Sequence, residues 1–125
     1  MRNLRAALIL FGAIHIAQGI VLIVAPDKIA DLSGSGQLAD YVPYIFATLG
    51  AAFIAAGVWF ITTGLDPLQN ITGVKLAILW SALLLIIQLY SVIQNYVDFG
   101  QVWLGVAEMA IFAGAFLIFY PYRQR

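Results

Sequence analysis

The sequence predicts an all-α fold: an integral membrane bundle of four helices in up-down-up-down order, with both termini cytoplasmic. Three observations carry this expectation. Of the 125 residues, 63% are hydrophobic and only 10% are charged, with a mean hydropathy of +0.97; a soluble domain is typically about a quarter charged and under half apolar. Four apolar runs are each long enough to cross a hydrocarbon core of ~30 Å, which takes about 20 helical residues. The cationic side chains fall almost entirely on one side of those runs. So short a chain has too little interior to hide this much apolar surface from water. Lipid is therefore the expected solvent, and residues 1–125 are read as a single transmembrane domain.

The first helix is expected from about Leu4 to Ala25, where Pro26 and Asp27 stop it. Arg2 and Arg5 ahead of an apolar run invite comparison with a signal peptide. The run is too long for one, and Pro26 stands where a small-residue cleavage site belongs, so the helix is read as retained. From Asp31 to Asp40, with Ser33, Gly34, Ser35 and Gly36, the chain reads as loop. Ile29, Ala30 and Leu32 among its charges fit either a plain connector or a short amphipathic turn in the membrane interface. The second helix is expected from about Tyr41 to Thr63, closed by Gly64-Leu65-Asp66-Pro67. The third runs from about Gly73 to Val97, and the fourth from about Gln101 to Tyr120, before Pro121.

Lys and Arg collect on the cytoplasmic side of membrane proteins. Four spans put both termini on one side, which gathers Arg2, Arg5, Lys75, Arg123 and Arg125, against Lys28 on the other. The expected localisation is thus the cell membrane, multi-pass, with N- and C-termini inside. The glycosylation sequon Asn70-Ile71-Thr72 then falls on the cytoplasmic side, where it carries no meaning.

Helices in lipid gain no hydrophobic energy by meeting, so close contact rests on small residues and interhelical hydrogen bonds. Helix two offers Gly50, Ala51, Ala52, Ala55, Ala56 and Gly57; helix one offers Gly12 and Gly19; helix four offers Gly105, Ala110, Ala113 and Gly114. Helix three, Leu/Ile-rich from Leu76 to Leu89 with Trp80, shows no such stripe and is expected to turn an apolar flank to lipid or to a partner. Tyr41, Tyr44, Tyr96, Trp103, Tyr120 and Tyr122 fall near the interfaces, where amphipathic rings anchor.

Ionisable groups at depth are functional candidates by default, because they are costly in hydrocarbon. There are two, His15 and Glu108, accompanied by Gln18, Gln88 and Ser91. With outer ends at Val24, Val97 and Gln101, the 1.5 Å helical rise places His15 and Gln88 about 13 Å deep, and Gln18, Ser91 and Glu108 about 9 to 10 Å deep. His15 with Gln18, and Gln88 with Ser91, are spaced to share a helix face. His15, Gln18, Gln88, Ser91 and Glu108 are therefore expected to form one polar cluster in the outer half of the bilayer. Its structural reading has a protonated Glu108 donating to His15 or Gln18, with the glutamines bonding across helices. Its functional readings are a pocket for a small headgroup or quinone-like molecule, proton exchange between Glu108 and His15, or His15 as axial ligand to a haem or pigment. A single histidine excludes a bis-histidine haem within one chain.

Other classes find no residues. Zero net charge offers no basic face for nucleic acid, and the absence of cysteine removes thiol catalysis and thiolate metal sites. No HExxH, no phosphate-binding glycine loop and no serine with a base in a fixed motif is present. Nor are there the broken helices or inverted repeats common in transporters.

The run from Leu4 to Gly34 (LRAALILFGAIHIAQGIVLIVAPDKIADLSG), followed by Gly50 to Gly57 (GAAFIAAG) and by Leu65-Asp66-Pro67, resembles the small four-helix membrane proteins of the DoxX-like group and related families. In them a first helix ends at a Pro and a Gly/Ala-rich second helix follows. Some members are linked to redox or sulfur-related membrane complexes. The resemblance implies no catalytic residue for this chain.

The leading expectation is a small non-enzymatic membrane protein without cofactor, an accessory or structural subunit packing against other membrane subunits, or its own copies, in a larger energy-converting complex. The alternative is a small-molecule, quinone or pigment-binding or carrier protein that uses the outer-half cluster.

Overall fold

Four long helices and one short one make up the computed structural model, which describes residues 1–32 and 39–122. In chain order they are α1 (Arg2–Val24), α2 (Pro26–Leu32), α3 (Val42–Leu65), α4 (Ile71–Ile93) and α5 (Phe99–Phe119). α1, α3, α4 and α5 are each long and apolar enough to span a bilayer, so the chain is an all-helical, multi-pass membrane protein. The helix boundaries differ from expectation by a few residues, and three of the differences have a physical cause.

Pro26 ends α1 as expected, but it also opens α2. Proline suits a first helical position, where its missing N–H would lack a partner anyway. Asp31 and Leu32 are thus helical rather than loop, while Ser33 to Gly36 lie outside the described residues. α4 stops at Ile93, short of Val97. Asn95 takes the left-handed conformation (φ 60°), its N–H bonds Val92 O at 3.1 Å, and the Tyr96 N–H bonds Ser91 O at 2.9 Å. That pair of bonds is a Schellman ending with asparagine in the place glycine more often takes. α5 begins two residues before Gln101 because Asp98 and Gln101 form a reciprocal capping box, with the Asp98 N–H donating to Gln101 Oε1 at 2.8 Å.

α1 and α3 form the most extensive contact, followed by α4 and α5; α1 with α5 and α3 with α4 meet more sparingly. The α1–α3 seam is made by glycine against glycine in antiparallel order. A Cβ on Gly12 would lie 2.5 Å from the Gly57 carbonyl oxygen, and one on Gly19 would lie 2.5 Å from that of Gly50. No side chain fits there, so the two backbones touch, as small-residue packing in membranes requires. At the Arg5 end of this seam, the Arg5 guanidinium donates to the Gly64 and Leu65 carbonyls, satisfying the last turn of α3.

α4 corrects the expectation that it carries no stripe of small residues. Gly73, Ala77 and Ser81, spaced four apart, are buried together with Val74, and Thr63 of α3 packs directly on Gly73. The Leu/Ile-rich flank is the other face: Leu79, Leu83, Ile86 and Ile87 are exposed. On α5 the expected pair fails, since Ala110 is exposed and nothing lies within 4 Å of a Cβ placed on Gly114. The core between the helices is aromatic, with Phe11 at its centre in ring contact with Phe60, Phe112, Phe116 and His15.

Candidate functional site

His15 is fully buried beside this aromatic core, and both its ring nitrogens are engaged. Nε2 accepts from the indole Nε1–H of Trp80 at 2.9 Å, and Nδ1 lies 2.9 Å from the Phe11 carbonyl. An indole nitrogen can only donate, so Nε2 is bare and Nδ1 carries the hydrogen given to Phe11. The ring also contacts Phe11, Phe53, Phe60 and Trp80. His15 is thus a satisfied member of the core in its neutral form. Serving as an axial ligand through Nε2 would require Trp80 to let go.

One turn further along α1, Gln18 leaves the aromatic layer and bonds α5. Its Nε2 donates to Glu108 Oε2 at 2.7 Å. This is the one hydrogen bond that joins two members of the expected cluster among the described residues. Gln88 of α4 lies against α5 in another way: Nε2 would be 2.5 Å from a Cβ on Gly105. Gly105 precedes Glu108 by one helical turn, so the Gln88 head lies against the stretch of α5 that carries Glu108, where glycine leaves room for it. Ser91 stands apart. It lies in the last turn of α4, and its hydroxyl donates to Ile87 O at 2.8 Å in its own helix. Gln18, Gln88 and Glu108 therefore form the polar layer, with His15 beneath it in the core.

The layer is rich in acceptors. Gln18 Oε1, Gln88 Oε1 and Glu108 Oε1 are all buried and have no hydrogen-bond partner. Buried polar atoms are nearly always paired, and an orphan costs about 1–3 kcal/mol. Three on three adjacent helix segments is an unusual concentration of unmet hydrogen bonding.

Gln18 also faces a groove of about 480 Å³ between α1, α2 and α3, lined by Ala17, Gln18, Val21, Leu22, Ile29, Leu49 and Phe53. Gln18 is the only polar residue among the described residues of its lining. Sequence reading did not find this groove. Ile29 reaches it only because Pro26 starts α2, and Phe53 shows no periodic signal that separates a groove wall from core. Trp80 was also missed as the partner of His15, since it sits in a run of Leu and Ile that reads as lipid-facing. Among the described residues no group of three or more His, Cys, Asp or Glu is placed to hold a metal.

No protein-family model matches the sequence, and no curated protein or solved structure is significantly similar to it.

Proposed function

We propose that the protein binds a small amphipathic molecule dissolved in the membrane, holding its polar head at Gln18 and Glu108 and its apolar body in the adjoining groove. The observation that carries this reading is the meeting of two features at one residue. Gln18 is the single polar side chain among the described residues that line the apolar groove and is bonded to the intramembrane carboxyl of Glu108. Ligand sites combine an apolar lining with a few placed polar groups in this way, over volumes of about 300–1,000 Å³. The binding requires no reaction at the protein, so the function is non-enzymatic. In the same reading the bundle runs up-down-up-down in the cell membrane with both termini cytoplasmic, which the skew of Arg2, Arg5 and Lys75 supports. The groove then opens in the outer leaflet. Membership of the DoxX-like group is not needed for it.

An accessory role beside larger subunits is the second reading. It is favoured by the exposed row of Leu79, Leu83, Ile86, Ile87 and Tyr90 on α4. Lipid covers such a row equally well, which is why ligand binding is placed first.

Tryptophan quenching tests the binding site. In a variant with Trp59→Phe and Trp103→Phe, Trp80 is the remaining tryptophan, and its ring lies 6.0 Å from Phe53 of the groove. A dodecyl amphiphile brominated on its chain, with amine, alcohol or quinone head, is titrated into protein in unbrominated phosphatidylcholine vesicles. Saturable quenching that Ala17→Phe abolishes by filling the groove is the expected result. Quenching that rises linearly with amphiphile and ignores Ala17→Phe overturns the proposal.

A further inference from the structure

At the end of the bundle that holds the Leu65–Asn70 turn lies a second, smaller hollow. It measures about 190 Å³ and is lined by Lys75 and Ile78 of α4 and by Tyr120 and Tyr122 just beyond α5. Pro121 restricts the chain between the two tyrosines. The Tyr122 N–H donates to the Tyr120 carbonyl at 2.8 Å, and the two phenol rings lie 4.8 Å apart. The rings therefore make one preformed wall, and Lys75 adds a cation to the same hollow.

Lys75 is exposed and forms no ion pair among the described residues, and no acidic residue is among the described walls of the hollow. It is the fifth residue of α4, close enough to the helix end for its long side chain to carry the ammonium to head-group level. Further along the same face stand Leu79 and Leu83, four and eight residues on, and then Ile86, all exposed. From Lys75 to Ile86 the helical rise covers about 16 Å. Half of a hydrocarbon core is about 15 Å thick. A cation beside phenolic donors, at the head of an apolar track one leaflet long, matches the two parts of a phospholipid.

We propose that this hollow seats the head group of a phospholipid of net negative charge, independently of the groove at Gln18. The phosphate pairs with the Lys75 ammonium and accepts from the hydroxyl of the exposed Tyr122, while one acyl chain lies over Leu79, Leu83 and Ile86. Phosphatidylcholine carries its phosphate together with a quaternary ammonium, which Lys75 repels and for which the described walls hold no carboxylate. Phosphatidylglycerol carries the phosphate charge alone, so the site should tell the two lipids apart. A soluble phosphate brings the same anion without the chains and gains nothing from the α4 track.

The test counts lipids on the intact protein by mass spectrometry after release from a mild detergent. Phosphatidylglycerol and phosphatidylcholine with identical chains are supplied in equal amounts. The first lipid retained should be phosphatidylglycerol by about fivefold or more, the effect of one basic side chain on an anionic head group. Lys75→Gln should abolish that preference and Lys75→Arg should restore it. Arg2→Gln removes the same charge from the same end of the bundle but lies outside the hollow, and should leave the preference intact. Tyr122→Phe, which removes the hydroxyl alone, should weaken both lipids, since both carry phosphate. Equal retention of the two lipids overturns the proposal, as does a preference that survives Lys75→Gln. Loss of the preference in Arg2→Gln to the same extent would trace it to diffuse charge and overturn the site. Displacement of the lipid by millimolar inorganic phosphate would make the hollow a site for a soluble anion and overturn the lipid assignment.

Discussion

The hydrogen bond from Trp80 to His15 ties α4 to α1 in the middle of an aromatic core, and its removal has a calculable consequence. Trp80→Phe keeps an aromatic ring but takes away the N–H, leaving His15 Nε2 a buried acceptor without a donor. That orphan should cost about 1–3 kcal/mol, read as a lower midpoint of denaturation by sodium dodecyl sulfate in mild detergent. Replacing both partners, with His15→Phe added, removes the orphan as well. The double variant should therefore lose less than the sum of the two single ones, a coupling of about 0.5–3 kcal/mol for groups in direct contact. Additive losses would mean that the bond contributes nothing beyond packing. The same residue shows how far a sequence alone can be read at this scale. That His15, Gln18, Gln88 and Glu108 lie in the apolar spans follows from hydropathy. Which of them bond each other depends on rotation about each helix axis, and a lone polar residue does not fix that angle. His15 thus joins the core, and Ser91 bonds its own helix once Asn95 ends α4 early.

Between elements, the glycines divide into those that set a helix contact and those that do not, and the two kinds should respond oppositely to the same substitution. Gly57→Ala would place a methyl group 2.5 Å from the Gly12 carbonyl oxygen, so α1 and α3 must move apart. Overpacking of this kind costs about 1–3 kcal/mol. Gly114→Ala meets nothing within 4 Å, and alanine is the better helix former by about 0.5–1 kcal/mol, so this variant should be neutral or more stable. The comparison is made on denaturation midpoints of the two purified variants; a destabilised Gly114→Ala together with an unaffected Gly57→Ala would refute the seam. Both glycines stood out in the sequence as small residues. The heptad spacing of Gly12 with Gly19 and of Gly50 with Gly57 is a stronger signal than the four-residue spacing of Ala110 with Gly114, because it repeats on two helices and lets them run alongside each other. The stripe of Gly73, Ala77 and Ser81 was equally present in the sequence. The Leu and Ile between its members, which point the other way, concealed it.

For the whole molecule the property that governs everything else is which way the bundle sits in the membrane. If the termini are cytoplasmic, the groove beside α2 draws its ligand from the outer leaflet; if they are external, from the inner one. The orientation rests on charge alone. Arg2, Arg5 and Lys75 stand with the Leu65–Asn70 turn at one end, and Lys28 with the Asn95–Asp98 turn at the other. The chain has no cysteine, so any cysteine introduced is the sole thiol and its labelling is unambiguous. Asp98→Cys and Gln69→Cys place one at each end; neither residue is buried, and each lies between long helices rather than within one. In intact cells a membrane-impermeant maleimide should label Asp98→Cys at once, and Gln69→Cys only after permeabilisation. The reverse pattern would invert the bundle and move the proposed site to the inner leaflet without altering its geometry. Labelling of both from outside would contradict the spanning of α4 itself, since an odd number of crossings must separate the two positions, and α4 is the only long helix between them. The charge skew also predicts how orientation responds to mutation. Arg2→Glu with Arg5→Glu removes two of the cations on which the proposed cytoplasmic N-terminus rests, and should convert part of the population to the inverted labelling pattern, whereas Asp27→Asn with Asp31→Asn should not, because acidic residues steer topology only weakly.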